Sequence, residues 1–221
     1  MMVKITTRRG RVQVTAQPGI ELEVERGVVE HLSPDVVLVR RARGDDRIEV
    51  CCAPGTDLSI GTASGNVELI GQFGSVKVAT SSGKVMIGNA SQVDVRTHSG
   101  LIQVESSSGD CRVVTKSGKV HLGKVGHATI AAVSGLVAIE EVESAQVKTV
   151  SGKVLIGTVG SGDLAVKTVS GRIDIKVPPD RRPNVRVNTI SGQVDRDTEW
   201  GNDGTISVAS VSGRVRVSGG R

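Results

Sequence analysis

The sequence predicts an all-β chain: a single-domain parallel β-solenoid of about nine rungs with an N-terminal β cap. Three observations carry this. A Ser-Gly step returns nine times, its glycine at 65, 83, 100, 118, 135, 152, 171, 192 and 213. Small or apolar residues stand two apart before each step, and an aliphatic residue follows two positions after it. The core is nearly free of aromatics, with one Phe, one Trp and no Tyr among 221 residues, so Val, Ile, Leu and Ala must build it.

The repeat explains each arm in turn. Seven and five positions before the glycine stand Leu58/Ile60, Val76/Val78, Val93/Val95, Cys111/Val113, Ala128/Ile130, Ala145/Val147, Leu164/Val166, Val185/Val187 and Ile206/Val208. Two positions after it stand Val67, Val85, Ile102, Val120, Val137, Val154, Ile173, Val194 and Val215. Period-two alternation makes each arm a strand with one buried face, and the Ser-Gly step breaks the parity as a bend or bulge. Two short strands cannot bury a face alone, so consecutive copies must stack with parallel pairing around an aliphatic core. Nine rungs would then form a rod of roughly 40 Å. Thr, Ala or Ser stands three positions before each glycine, from Thr62 to Ser210, and the serine before the glycine is expected to bond locally to backbone at the corner.

Residues 1–57 depart from the pattern. Arg9-Gly10-Arg11-Val12-Gln13-Val14 resembles a half-rung, and alternating stretches at Ile20 to Val24, Val36 to Val39 and Ile48 to Cys52 are separated by turns at Pro18-Gly19, Ser33-Pro34 and Gly44-Asp45. This segment is expected to cap the first rung of the 58–221 repeats within the same domain. The last copy, Ile206 to Val217, is expected to end the rod with an unprotected edge.

Two other solenoids fit less well. Hexapeptide left-handed β-helices space single aliphatic residues six apart, whereas here they come in pairs. Pectate-lyase-like helices have longer rungs and acidic clusters on long loops.

The Arg-Gly-x-Val-x-Val opening, the Ala-Pro-Gly-Thr-Asp-Leu lead-in at 53–58 and the serial Ser-Gly-x-Val-x-Ile copies together resemble the bacterial "putative adhesin" β-strand-repeat family, the Toastrack domain, in the style of its actinobacterial members. The resemblance implies a non-enzymatic β-solenoid found in cell-envelope stress systems, without an established ligand and without active-site residues to carry over.

Composition bounds the function. There is no apolar run of leader length at the N-terminus and no stretch near the ~20 residues of a membrane helix, so a cytoplasmic protein without membrane insertion is expected. Three cysteines, two of them adjacent, form no disulfide framework. The four histidines, His31, His98, His121 and His127, occupy unlike positions relative to the repeat, so stacking assembles no metal or cofactor site. The nine serines lack a His or Asp at fixed offset, and no acid, base and nucleophile converge, so an enzyme is not expected.

Two outward rows are candidate surfaces. Directly after the glycine, five of nine residues are basic: Lys84, Lys119, Lys153, Arg172 and Arg214. This row is a solvated face that discourages aggregation or, as an alternative function, a binder of an anionic ligand such as a polysaccharide or lipid headgroup. Nucleic acid is the weakest candidate, because two aromatics offer little stacking. Two positions before the glycine, the last five copies carry Val133, Val150, Val169, Ile190 and Val211. Parity points them outward as an apolar ridge, unless the corner turns them in. Trp200, in the enlarged loop nearby, would anchor the same interface. The expected function is a non-catalytic interaction scaffold, homo-oligomeric through its C-terminal half. A filament built by end-to-end stacking is a more distant alternative.

Overall fold

The structure, a computed structural model, describes residues 1–33, 35–40, 46–197 and 201–219. Trp200 and the turn residues Pro34, Gly44 and Asp45 lie outside them. The strands are β1 (Met2–Ala16), β2 (Leu22–Arg26), β3 (Val28–Ser33), β4 (Val36–Arg40), β5 (Arg47–Cys52), β6 (Asp57–Ser82), β7 (Lys84–Val159), β8 (Leu164–Val177), β9 (Asn184–Asp197) and β10 (Thr205–Gly219). They make one sheet in the order β2-β5-β1-β6-β7-β8-β10-β9, with β3 and β4 off this path. The long strands are coils rather than straight ribbons: β7 winds through successive rungs, its Leu101 N–H bonding the Gly83 carbonyl one rung below.

Like residues pair with like, as the repeat requires. Val67 faces Val85, Val76 faces Val93, and Gly152 faces Gly171. The first step is one residue longer than the second because the register shifts between Leu69 and Gln72, where Gly71 (φ 107°) forms the bulge. Both aliphatic arms are buried throughout the central rungs. Each rung also has a third inward site on its short side: Phe73, Ala90, Ser107, Val125, Val142, Val159 and Val177 are all buried. Pair spacing alone did not reveal this row, because the residues joining it to the arms vary in type and number.

The Ser-Gly corner is locked by two devices. The glycines form a column in which a Cβ on each would overlap the carbonyl oxygen of the glycine one level below, for example Gly100 on Gly83 and Gly135 on Gly118. Several also take positive φ, 130° at Gly100 and 125° at Gly135. Threonine supplies the second device. Thr80, Thr97 and Thr168 each donate a hydroxyl to the carbonyl two residues on, at 3.0, 2.9 and 3.2 Å. Those acceptors belong to Ser82, Ser99 and Ser170, so in these rungs the serine contributes its backbone while the preceding threonine makes the local bond assigned to serine from sequence.

At both ends the spatial order departs from the chain order. β1 is itself a full rung: Gly10 pairs with Gly65, Val3 with Leu58, and the Thr7 hydroxyl bonds the Arg9 carbonyl at 2.8 Å. The structure thus adds a tenth corner to the nine. Outside β1 lie β4 and β5, parallel to it, and β2 and β3 pair antiparallel with β5 and β4 beyond them.

At the other end β10 pairs with β8 on one side and β9 on the other. The expectation that Ile206 to Val217 ends the rod is therefore corrected: that copy is enclosed, and β9 holds the edge. The reason lies in one residue. Four positions after the glycine every copy is aliphatic except one, where Arg196 stands opposite Val217. A guanidinium at an inward slot is tolerable only where the core meets solvent, and Arg196 bonds the Val187 carbonyl at 3.4 Å across the exposed end.

Candidate interaction surface

The Ser-Gly bend does not turn the outward row inward. Val133, Val150 and Val169 are each 48% exposed, Val211 43% and Ile190 83%. The register stacks them as Val150, Val169, Val211, Ile190, the reversed C-terminal order placing Val211 between Val169 and Ile190. They make one unbroken ridge of five rungs, about 20 Å long. Beside it runs an open groove lined by Lys167, Asn188, Ile190 and Val211.

The basic row lies just across the corner. Lys84, Lys119, Lys153, Arg172 and Arg214 are all exposed. Lys153, Arg172 and Arg214 are direct register neighbours, so three cations stand on consecutive levels. Arg214 reaches Gln193 at 2.8 Å on the last level.

These rows belong to a wider feature that linear reading concealed. Along the chain, acids and bases alternate and look well mixed. In space they are sorted. The segment from six residues before each corner glycine to one after it covers 4–11, 59–66, 77–84, 94–101, 112–119, 129–136, 146–153, 165–172, 186–193 and 207–214. Together these stretches hold sixteen of the 28 Lys and Arg but one of the 23 Asp and Glu, Asp94, which pairs with Arg96 at 3.2 Å. The corner strip has a formal charge of +15, leaving −10 for the rest of a chain whose total is +5. A repeat fixes which wall each position faces, so a modest positional bias in every copy adds up to a one-signed wall.

The acids gather elsewhere, many at the far corner of the C-terminal half. There the Glu143 carboxylate accepts the Ser161 N–H at 3.1 Å, and Asp163 accepts the Thr205 N–H at 2.8 Å. Arg181 sits among them, donating to the carbonyls of Asp203, Val159 and Gly162 at 2.8, 3.1 and 2.7 Å. Burial pulls its pKa down, against the upward pull of Asp203, Glu143 and Asp163. Sequence reasoning passed over Arg181, although an Arg-Arg pair between prolines at a step lengthened to 21 residues was a usable signal.

The remaining candidates stay apart. His121 Nε2 meets Glu140 at 3.0 Å and His127 Nδ1 meets Ser144 at 2.6 Å, while His98 stands on the corner and His31 on β3. Among the described residues no three His, Cys, Asp or Glu are grouped to hold a metal ion. Cys52 is buried, whereas Cys51 points the other way, toward Glu25 at 3.8 Å; burial, first, and then Glu25 raise its pKa. Cys111 lies in the core, and burial pushes its thiol up to about 12. Among the described residues no helix is long and apolar enough to cross a membrane.

A search of curated proteins finds no match. Among solved structures, a crystal structure described as a "putative cell adhesion protein" from Clostridium sporogenes aligns over 99% of this chain and 92% of its own, at 8% identity and a TM-score of 0.21. The model of the family described as Toastrack DUF4097 matches residues 3–218, which is nearly the whole chain. With the stacked corners, the aliphatic core and that match in hand, the chain belongs to the Toastrack family.

Proposed function

We propose that the protein is a non-catalytic scaffold, a stiff rod that docks a partner along the Ser-Gly corner of its C-terminal half. The observation that carries this reading is the exposed ridge Val133, Val150, Val169, Val211 and Ile190. Five aliphatic side chains aligned in water are an unusual use of positions where period-two alternation normally sets polar residues. The cross-strand pairing that fixes them also makes the ridge rigid, so docking there costs little conformational entropy.

A two-fold pairing of ridges would set Lys153, Arg172 and Arg214 of each copy near their counterparts. We therefore propose that self-association runs through the β9 end, where the tip of the ridge, Ile190, meets a strand edge that no described strand pairs.

Two measurements test this. Light scattering on the eluting protein across micromolar concentrations should give a mass that falls to the monomer in Ile190→Asp; a strict monomer in the wild type removes self-association. Pull-down from the native host with wild type beside Val150→Asp/Val169→Asp should lose the docked partner in the variant. Identical recovery from both removes the ridge as docking surface.

A further inference from the structure

Resting on this docking reading, we propose that the corner's occupant is the surface of an anionic lipid bilayer: the aliphatic ridge enters the boundary between headgroups and acyl chains, and the flanking cations meet the headgroups. The argument is one of fit. Over the five ridge rungs the strip carries no acid, and cations lie on both sides of the ridge: Lys148 and Lys167 on the first arm, Lys153, Arg172 and Arg214 past the corner. A soluble polyanion would satisfy these charges but leave the ridge in water. A second copy of the chain would satisfy the ridge but bring like charge against like. A bilayer with anionic headgroups satisfies both and needs no groove shaped to a protruding corner.

The strip also extends beyond the ridge. Toward the N-terminal end it continues through Lys116, Lys84 and the Arg8-Arg9-Gly10-Arg11 corner, all exposed cations on the same line. The strip's cations are exposed, and among the described residues Arg96 is the one with a carboxylate partner, Asp94. The balance of −10 on the other walls would point away from the surface, so the rod would lie flat with one defined side down. Each cation near an anionic membrane is worth about fivefold in affinity, enough for a handful of them plus the ridge to give reversible association.

The test is sedimentation of the full chain with vesicles of phosphatidylcholine mixed with phosphatidylglycerol, beside vesicles of phosphatidylcholine alone. We expect binding to the mixed vesicles only, weakening with added salt. Lys153→Gln/Arg172→Gln/Arg214→Gln should weaken it about a hundredfold. Val150→Thr/Val169→Thr/Val211→Thr, which keeps charge and strand preference, should weaken it severalfold.

Equal binding to both vesicle types overturns the proposal. So does a threonine variant that binds like wild type while polyphosphate strips the protein from vesicles, which would make the strip a site for soluble polyanions. If no vesicle binds but the ridge variants still change oligomeric mass or pull-down, the bilayer proposal falls and the docking reading stands; if they change neither, both fall.

Discussion

At the corner glycines nothing larger than a hydrogen fits in the place of a side chain. Gly135→Ala would both drive a Cβ into the Gly118 carbonyl oxygen and hold an alanine at φ 125°. We expect a loss of about 3 kcal/mol, seen as a lower urea midpoint. Gly61, with open space around its Cα and no positive φ, is the control: Gly61→Ala should change stability by about 0.5 kcal/mol or less.

Cys111 gives a second residue-scale prediction. Its thiol ordinarily titrates at 9.0 and is raised by burial to about 12, so the folded state holds the proton more tightly than the unfolded chain. That contribution is complete below pH 9 and is lost as pH rises from 9 toward 12. Between about pH 8 and about pH 11 the wild type should lose roughly 2–3 kcal/mol more than Cys111→Ala. Denaturant midpoints of the two proteins at those pH values check this, and equal alkaline losses would contradict the assignment.

At the scale of elements, Arg181 holds the C-terminal exchange of order together. Its guanidinium ties the Val159 to Gly162 turn to Asp203, and its neighbour's backbone N–H bonds the Asp203 carboxylate at 2.8 Å. Three carbonyls lose a charged donor in Arg181→Ala, which should cost about 2 kcal/mol or more. Hydrogen exchange should locate the loosening in β9 and β10 while the β1 and β6 amides keep their protection.

The elements also show what pattern reading could reach. The paired aliphatic arms were legible because period two is a backbone property that every copy repeats. The exchange of β9 and β10 was not, because stacking puts like on like and one copy's slots accept almost any other's. The discriminating residue was Arg196, a charge at a slot that is aliphatic in the other copies. The candidate ridge was legible as a list of residues, but whether the bend exposed it depended on the geometry of the Ser-Gly corner.

At the scale of the whole molecule, the reversed order makes a prediction that sequential stacking does not. A chain ending at Gly204 would lack β10, which lies between β8 and β9. In a sequential rod this would remove only the end. Here it should strip β9 of its sheet partner, so amides at 184–197 should lose protection together with the missing rung. Persistent protection of 184–197 in the truncated chain would show that β9 can pair with β8.

Sequence by itself determined the repeat, the aliphatic core, the stack of glycine corners and the inward facing of the paired aliphatic arms. These follow from alternation and from the small size of glycine, which act locally and identically in each copy. Tertiary structure alone decided the order of rungs at both ends, the exposure of the ridge and the gathering of sixteen cations on one strip. Those depend on which copy lies on which, and on how sharply the chain bends between arms. The reason is physical: neighbours on a wall of the rod are about 18 residues apart along the chain but about 4.8 Å apart in space.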